Sequence, residues 1–486
     1  MGLNVYVLAM FPRPLLLALV FVVSLAHARS PLPVFTAPAE LSSYTDDVLA
    51  RTEAEIIAIK RSSDDAPTLL RRWDRLLASL NSATALFQLY HYGLKAPEEI
   101  KVKSEEQITR IEEAKQALNK DLDLYRVLEK SWRRDHDFAD QESRELVERF
   151  LLAFEKNGVH LSPDRKAEVL ELQKQLKERQ GEYSSRVKAI QTASPFVVNA
   201  AKLYGLVLPP QVEVREGKAY VSVQHRDASL WFLSNVPDEA LRRAYFEHVA
   251  RIHEPLRPLA LEMLELRRRI ATKLGKTTWS EVRLPGTMLQ SSENVHRFLL
   301  ESTRAYRAHY RTHIDAIRSA KQDETGDERT TLKPWDLDYY TRMLAEIHTD
   351  DGRVNYASEV VDAERLFEVT FAYLEEMFDL RIERSPIDAR EAHLWSGDAE
   401  VLTIYRKDSD VPLTQTYFEP YQHEGVKLGF ALALDGDEPE ARLAGNNRTA
   451  VFGKLLKASE GRTKLNFSEA RVFFHEFGHL LHHAFG

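Results

Sequence analysis

Two histidines, His475 and His479, have the spacing of a metal-chelating pair and enclose a glutamate, Glu476. Side chains four residues apart on an α-helix lie almost above one another, about 6 Å apart along the axis. Zinc binds such imidazoles at about 2.0–2.1 Å per nitrogen. The carboxylate of Glu476 can reach a metal-bound water and act as general base toward a peptide carbonyl. The stretch is therefore the H-E-x-x-H pattern of zinc peptidases.

The surrounding residues predict a helix over 468–486. Ser468 suits an N-cap, and Glu469 suits the first turn. An apolar face recurs at helical spacing and is formed by Phe473, Phe477, Leu480 and Leu481. Gly478 costs the helix roughly 1 kcal/mol relative to alanine. That cost suggests that another backbone approaches closely there, although tight packing alone would also explain the glycine.

The H-E-x-x-H pattern could match by chance, and the histidines that follow it could be further zinc ligands. With 17 histidines in the chain, the pattern arises by chance in roughly one chain in twenty of this composition. His482 lies about 10 Å beyond His475 along the axis, too far for one ion to join them on a straight helix. We interpret His482 and His483 as packing groups or as groups that orient the ligands. The longer metzincin pattern needs Gly at 482 and His at 485, so His482 and Phe485 exclude that class.

A catalytic zinc site needs three protein ligands and one open position, and only two ligands are visible. The third comes either from upstream or from beyond Gly486. We favour the second alternative, because the sequence stops within a helix seven residues after His479. The expectation is a C-terminally truncated chain that lacks part of its active site.

Composition narrows the function classes. The hydrophobic content is 44% and the charged content 29%, both typical of a soluble protein of two or more core-bearing units. The formal net charge of −8, with no basic block, argues against a nucleic-acid partner. The absence of cysteine excludes disulfides, thiol nucleophiles and cysteine-ligated zinc.

The first residues predict a signal peptide over 1–28. Arg13 precedes an eleven-residue apolar run over 15–25, and Ala26-His27-Ala28 provides an A-x-A cleavage site. Met10 is an alternative start. An uncleaved anchor is the alternative interpretation, but the run is short for a bilayer span of about 20 residues. We expect a secreted or periplasmic protein, cleaved after Ala28, with no stable membrane association afterwards.

Periodicity divides the rest of the chain. Residues 37–190 are mostly helical, 196–223 form a strand or hairpin region, and 321–331 form a polar exposed loop. Further helices are expected at 240–252, 261–274, 292–318 and 362–378. Strands are expected at 401–405, 416–418, 429–433 and 450–456.

Two features of the strand-rich region keep alternatives open. An exposed edge strand next to a metal-binding helix can hold an extended peptide by backbone pairing, and a small structural sheet is the equal alternative. Asn447 and Asn466 match the glycosylation pattern, which is relevant only in a eukaryotic source and often matches by accident.

Several stretches resemble one family. Residues 474–483, reading FHEFGHLLHH, are close to the signature of M3-type metallopeptidases, the group of thimet oligopeptidase and oligopeptidase A. Residues 241–247, 264–275 and 334–340 are similar to other recurrent segments of that family, and agreement runs from about residue 217 to the end. Residues 417–427 differ from the family's usual form, in which an Asp and a basic pair are expected.

The resemblance implies a mainly α, two-lobed fold with a deep channel and one zinc ion on its floor. The strands expected between 401 and 456 add a small β-sheet next to the H-E-x-x-H helix. It implies hydrolysis of short peptides, with His475 and His479 as zinc ligands and Glu476 as general base. It also implies a third ligand, a glutamate, more than twenty residues after the second histidine.

We divide the chain into an N-terminal helical region, 29–205, and a catalytic domain, 206–486. The alternative is an inactive or truncated homologue that binds peptides or serves as a helical scaffold, and the oligomeric state is open.

Overall fold

The computed structural model describes residues 32–135, 141–209, 211–347, 360–423, 430–434, 447–455, 457–458 and 461–485. Internal contacts divide these residues into two compact units. The first unit contains the described residues of Met1–Leu118, Arg126–Ala139 and Tyr356–Gly486, and the second contains those of Asn119–Tyr125 and Asp140–Asn355. The predicted signal peptide, residues 1–28, lies outside the described residues.

The first unit opens with helices whose apolar positions recur every three or four residues. They are α1 (Pro38–Arg61), α2 (Ala66–Gln88) and α3 (Glu98–Leu118), followed by α4 (Leu122–Asp135), which is divided between the units. Asp65 caps α2, because its side chain accepts a hydrogen bond of 2.9 Å from the backbone N–H of Thr68. The buried face of α2 includes Leu69, Trp73, Leu76 and Leu80.

A five-stranded sheet occupies the C-terminal half of the first unit. Its strands are β5 (Leu380–Pro386), β6 (Glu400–Arg406), β7 (Pro412–Tyr421), β8 (Phe430–Ala433) and β9 (Arg448–Leu455), in the spatial order β5-β6-β7-β9-β8. All neighbouring strands pair antiparallel except β7 and β9, which are parallel. The edge strands are therefore β5 and β8.

A two-stranded ribbon sets the starting points of two helices. Strand β4 (Val360–Asp362) leads directly into α13 (Ala363–Phe378), and β10 (Lys464–Asn466) leads directly into α14 (Phe467–Phe485). The two strands pair antiparallel. Both helices consequently begin beside the same ribbon.

These two helices cover the sheet through a shared aromatic core. The ring of Phe473 on α14 stacks on Phe367 of α13 with centroids 4.8 Å apart. Phe477, one turn further along α14, lies 5.6 Å from Phe418 of β7. All four rings are almost fully buried. Burial of this area supplies most of the force that fixes α14 on the sheet.

The second unit contains a three-stranded sheet and eight helices among its described residues. The sheet has the order β1-β3-β2, with β1 (Phe196–Asn199), β2 (Val212–Arg215) and β3 (Lys218–Val221) all antiparallel. The helices are α5 (Gln141–Glu155), α6 (Pro163–Ala193), α7 (Arg226–Asn235), α8 (Glu239–His253), α9 (Arg257–Lys273), α10 (Trp279–Arg283), α11 (Ser292–Thr325) and α12 (Leu337–Ile347).

A buried ion network joins three parts of the second unit. Asp336 accepts hydrogen bonds from Arg242 of α8, at 3.1 Å, and from Lys321 of α11, at 2.7 Å. None of the three side chains is more than 3% exposed. Because each charge is paired and hydrogen-bonded, the network is compatible with a dry interior.

The mainly α fold with a small sheet beside the H-E-x-x-H helix is confirmed. The predicted loop over 321–331 is wrong at its start, because α11 continues to Thr325 and Lys321 is buried.

The predicted boundary between 205 and 206 falls within the second unit, and the division into two regions stays a prediction. Of the helices that the structure describes, none has the length and apolar character needed to cross a bilayer.

Candidate metal centre

The rings of His475 and His479 converge on the exposed side of α14. Their Nε2 atoms are 3.1 Å apart, and the ring planes are nearly perpendicular, at 89°. Both side chains are exposed to solvent. The two nitrogens are therefore close together and open to a third species.

The distance between the two Nε2 atoms is close to the one that a shared zinc ion requires. Two nitrogens at about 2.0–2.1 Å from one tetrahedral ion lie about 3.3–3.4 Å apart. The observed distance of 3.1 Å is within a few tenths of an ångström of that value, so the two residues fit adjacent corners of a tetrahedral site. A hydrogen bond between two neutral rings would give a similar distance. Within the described residues no third histidine, aspartate or glutamate joins them in a cluster that could hold a metal ion.

Glu476 directly follows the first histidine and is half-buried. One residue of helix turns the side chain by about 100° from that of His475. The carboxylate thus lies beside the imidazole pair, on the border between the exposed and buried faces of α14. This is a suitable place for a group that exchanges protons with a molecule bound next to the pair.

The orientation of the pair is set by the opposite face of α14. Phe473, Phe477 and Leu480 are at most 5% exposed and pack in the core shared with the sheet and α13. Residues 475 and 479 fall between these positions in the helical period and so point away from the sheet. The apolar periodicity of the sequence therefore predicts the outward direction of the imidazoles.

A hydrogen bond fixes the last turn of α14. The side chain of Asn447, just before β9, donates from Nδ2 to the backbone carbonyl of His483 at 2.9 Å. Asn447 is only 3% exposed. Its amide is therefore engaged and inaccessible in the folded chain, which argues against glycosylation of Asn447. The second predicted glycosylation site, Asn466, has a side chain outside the described residues.

The structure of α14 bears on the predicted N-cap, on Gly478 and on the two histidines that follow the motif. Ser468 lies within the first turn, because the helix begins at Phe467, so its assignment as N-cap is wrong. A Cβ added to Gly478 would meet no described atom within 4 Å, so neither the close backbone approach nor the tight packing expected there is found. His482 is exposed and His483 half-buried.

Sequence reasoning missed a buried carboxylate in β7. Glu419 is fully buried and accepts hydrogen bonds from the backbone N–H of Ser396, at 3.0 Å, and from its hydroxyl. Burial raises the pKa of Glu419, while the hydrogen bonds from Ser396 and the Coulombic interactions with His423 and Lys95 oppose that rise. The signal was present in the sequence, since Glu419 is the one charged residue of a strand that reads PLTQTYFEPY.

The chain has relatives among known proteins. A family model described as Peptidase family M3 matches residues 232–486, just over half of the 486 residues. Mitochondrial intermediate peptidase of Arabidopsis thaliana is 22% identical over 387 residues, which cover 75% of this chain and 54% of that protein. Oligopeptidase A of Salmonella typhimurium is 24% identical over 371 residues, with coverages of 70% and 52%. Thimet-like oligopeptidase of Dictyostelium discoideum is 20% identical over 384 residues, with coverages of 74% and 55%. The chain spans about half the length of these curated relatives.

Proposed function

Because the chain belongs to peptidase family M3, we propose that it hydrolyses peptide bonds in short oligopeptides with one zinc ion held by His475 and His479. The observation that carries the proposal is the 3.1 Å separation of the two Nε2 atoms on an exposed helix face. The names of the relatives, which are peptidases and oligopeptidases, support the substrate class.

The two histidines would bind the ion through Nε2. When bound, zinc supplies Lewis acidity, which polarises a carbonyl oxygen and lowers the pKa of a water. The chain's own contribution is to hold the two nitrogens in place before the ion arrives. The buried face of α14 fixes the helix, and the bond from Asn447 to the His483 carbonyl fixes its last turn.

Glu476 would move the proton. Its carboxylate accepts a proton from the water that attacks the scissile carbonyl and then donates it to the nitrogen of the leaving amine. Its half-buried position restricts the rotamers that the carboxylate can adopt and leaves it in contact with solvent. Both features suit a group that must accept and release one proton in each turnover.

The sheet beside α14 offers a way to hold the substrate. Strand β8 is an edge strand of the five-stranded sheet and contacts α14. An extended peptide can pair with the free backbone groups of an edge strand. We propose that β8 aligns a short peptide beside His475 and His479, and a purely structural sheet is the alternative.

The third zinc ligand would come from outside the described residues, because a catalytic site needs three. Since the described residues bring only two ligands together, a second candidate function is peptide binding without turnover. The two candidates differ in one measurable property, the cleavage of the bound peptide.

We also propose that the protein is exported to the periplasm or the exterior of the cell. The supporting feature is the charged, apolar and small-residue layout of residues 1–28. Amino-terminal sequencing of the protein isolated from its source should give Arg29 as the first residue, and an intact apolar run would contradict the proposal.

The experiment for the peptidase proposal measures zinc content and cleavage of a fluorescence-quenched short peptide by the purified chain. His475→Ala and His479→Ala should each lose zinc. His482→Ala should retain it, because His482 is an exposed histidine of the same helix that is not one of the two proposed ligands. Glu476→Gln should retain zinc and lose at least about a hundredfold of the cleavage rate.

Two outcomes would count against the assignment. Zinc binding that survives loss of His475 and His479 would place the metal elsewhere, and undiminished cleavage by Glu476→Gln would remove its role as base. A wild-type chain that binds zinc and the peptide but leaves the peptide intact would instead support the binding function.

A further inference from the structure

Residues 32–36, which precede α1, contribute to the core of the first unit although they form no regular secondary structure. The side chains of Leu32 and Phe35 are only 3% and 8% exposed. A segment ahead of the first helix of a domain is usually loosely attached unless specific contacts hold it. We call residues 32–36 the strap, and such contacts hold both of its ends.

The first residue of the strap is fixed to the sheet side of the unit. The backbone N–H of Leu32 donates a hydrogen bond of 2.7 Å to Oε1 of Glu391, which lies between β5 and β6. Glu391 is fully buried, and its Oε2 accepts a bond of 2.9 Å from the hydroxyl of Tyr417 on β7. Withdrawing the N–H of Leu32 would remove one of the donors on this buried carboxyl group, which is unfavourable.

The rest of the strap is fixed to the helices. The backbone N–H of Phe35 donates a bond of 3.1 Å to the hydroxyl of Tyr90, which in turn donates one of 2.7 Å to the carbonyl of Pro33. Tyr90 belongs to the π-helix Leu89–Gly93 that follows α2. The ring of Phe35 packs against Tyr90 and against Phe87 of α2, with centroids 5.2 and 6.1 Å away. The strap therefore joins α2 to the sheet.

The docked strap lies close in sequence to the predicted cleavage site. Only residues 29–31 separate Leu32 from the bond after Ala28, and four residue spacings of extended chain span at most about 14 Å. A peptidase that cuts this bond must hold extended chain on both sides of it. The apolar run over 15–25 is meanwhile held by the membrane. A strap fixed to the buried Glu391 leaves too little free chain for that peptidase.

We propose that docking of the strap and removal of the signal peptide exclude each other, so that the chain must be cut after Ala28 before the first unit finishes folding. The reaction is hydrolysis of one amide bond by one water molecule, which leaves a carboxylate on Ala28 and an ammonium group on Arg29. A chain that folds too early keeps its apolar run and stays at the membrane. The proposal rests on the export proposed above and is independent of the metal centre.

The test uses the chain from Met1 in detergent micelles with a purified signal peptidase. Precursor that has folded first should be cut after Ala28 at least about tenfold more slowly than precursor added directly from denaturant, because cleavage must wait for the strap to open. Hydrogen exchange at the amides of Leu32 and Phe35 reports docking, since both N–H groups are hydrogen-bonded. Both amides should exchange slowly in the folded precursor and in the cut chain.

Variants separate docking from other effects of folding. A flexible glycine–serine linker of about twelve residues, inserted between Ser30 and Pro31, supplies free chain. Folded precursor with this linker should be cut as fast as precursor from denaturant, while the strap amides stay protected. Phe35→Ser removes the packed ring and should also speed cleavage of the folded form. Thr36→Ala is the matched control, because Thr36 is exposed in the same strap, and it should be cut as slowly as the wild type. Circular dichroism confirms folding of each variant.

Two results would overturn this proposal alone. They are equal cleavage rates for folded precursor with and without the linker, and fast exchange of the Leu32 and Phe35 amides in the cut chain. A precursor that stays uncut even when added from denaturant would contradict the export proposal and this one together.

Discussion

Asn447 and His483, 36 residues apart in sequence, are joined by a hydrogen bond of 2.9 Å from the asparagine amide to the histidine backbone carbonyl. The bond ties the start of β9 to the last turn of α14. His479 lies one turn before His483, so the position of the second candidate ligand depends on this contact. A neutral side chain thus links the sheet to the helix that carries the candidate metal centre.

Replacing Asn447 tests that dependence. Asn447→Ala should lower the free energy of unfolding by about 1–2 kcal/mol, because a buried hydrogen bond is lost. Zinc affinity, measured by competition with a chromogenic chelator, should fall several-fold. Asn157→Ala is the matched control, since Asn157 donates a similar bond of 2.9 Å to Ala153 in the other unit. Equal zinc affinities in the two variants would show that the contact does not position the pair.

The local features of α14 could be predicted from sequence, and this contact could not. The aromatic residues at helical spacing predict both the helix and the outward direction of His475 and His479. The partner of the His483 carbonyl depends on where β9 lies, which is decided by strand pairing and not by residues near His483. Likewise, the period of α11 predicts a helix but does not show which of its turns are buried by other described residues.

Gly478 shows a second limit of sequence reasoning. A glycine inside a helix predicts a close neighbour, yet the described residues place none within 4 Å of an added Cβ. What occupies that side of α14 depends on groups that no local pattern identifies.

Gly478→Ala should therefore stabilise the helix. Alanine is favoured over glycine in a helix interior by about 1 kcal/mol, and the structure offers no steric penalty. Hydrogen exchange within α14 should slow, with zinc content unchanged. Gly181→Ala in α6 is the matched control, because that glycine also has open space around its Cβ position, and it should slow exchange within its own helix by a similar factor. Faster exchange in Gly478→Ala alone would mean that another group packs against this glycine.

The buried carboxylate of Glu419 gives a prediction for pH. Burial raises its pKa above the ordinary value of 4.5. The folded state consequently binds the proton more tightly than the unfolded state does. This contribution to stability is fully present below pH 4.5 and is lost as the pH rises through the raised pKa. The midpoint of thermal unfolding of Glu419→Gln, relative to that of the wild type, should therefore rise as the pH increases over this range.

Ser396→Ala provides the companion measurement. The Ser396 hydroxyl donates a hydrogen bond to Glu419 and opposes the rise of its pKa. Its removal should move the loss of stability to higher pH. A difference between wild type and Glu419→Gln that does not change with pH would contradict the role assigned to this carboxylate.

The ion network of Arg242, Lys321 and Asp336 gives a prediction for the second unit. Asp336→Asn removes the negative charge and leaves two buried cations near one another, at a cost of about 3–5 kcal/mol. Hydrogen exchange in α8 and in the C-terminal part of α11 should accelerate accordingly, because both elements supply a cation to the network. Asp315→Asn is the matched control on α11, since Asp315 pairs with Arg318 at the surface, and exposed pairs contribute little. If both substitutions left exchange unchanged, the three charges would not hold these elements together.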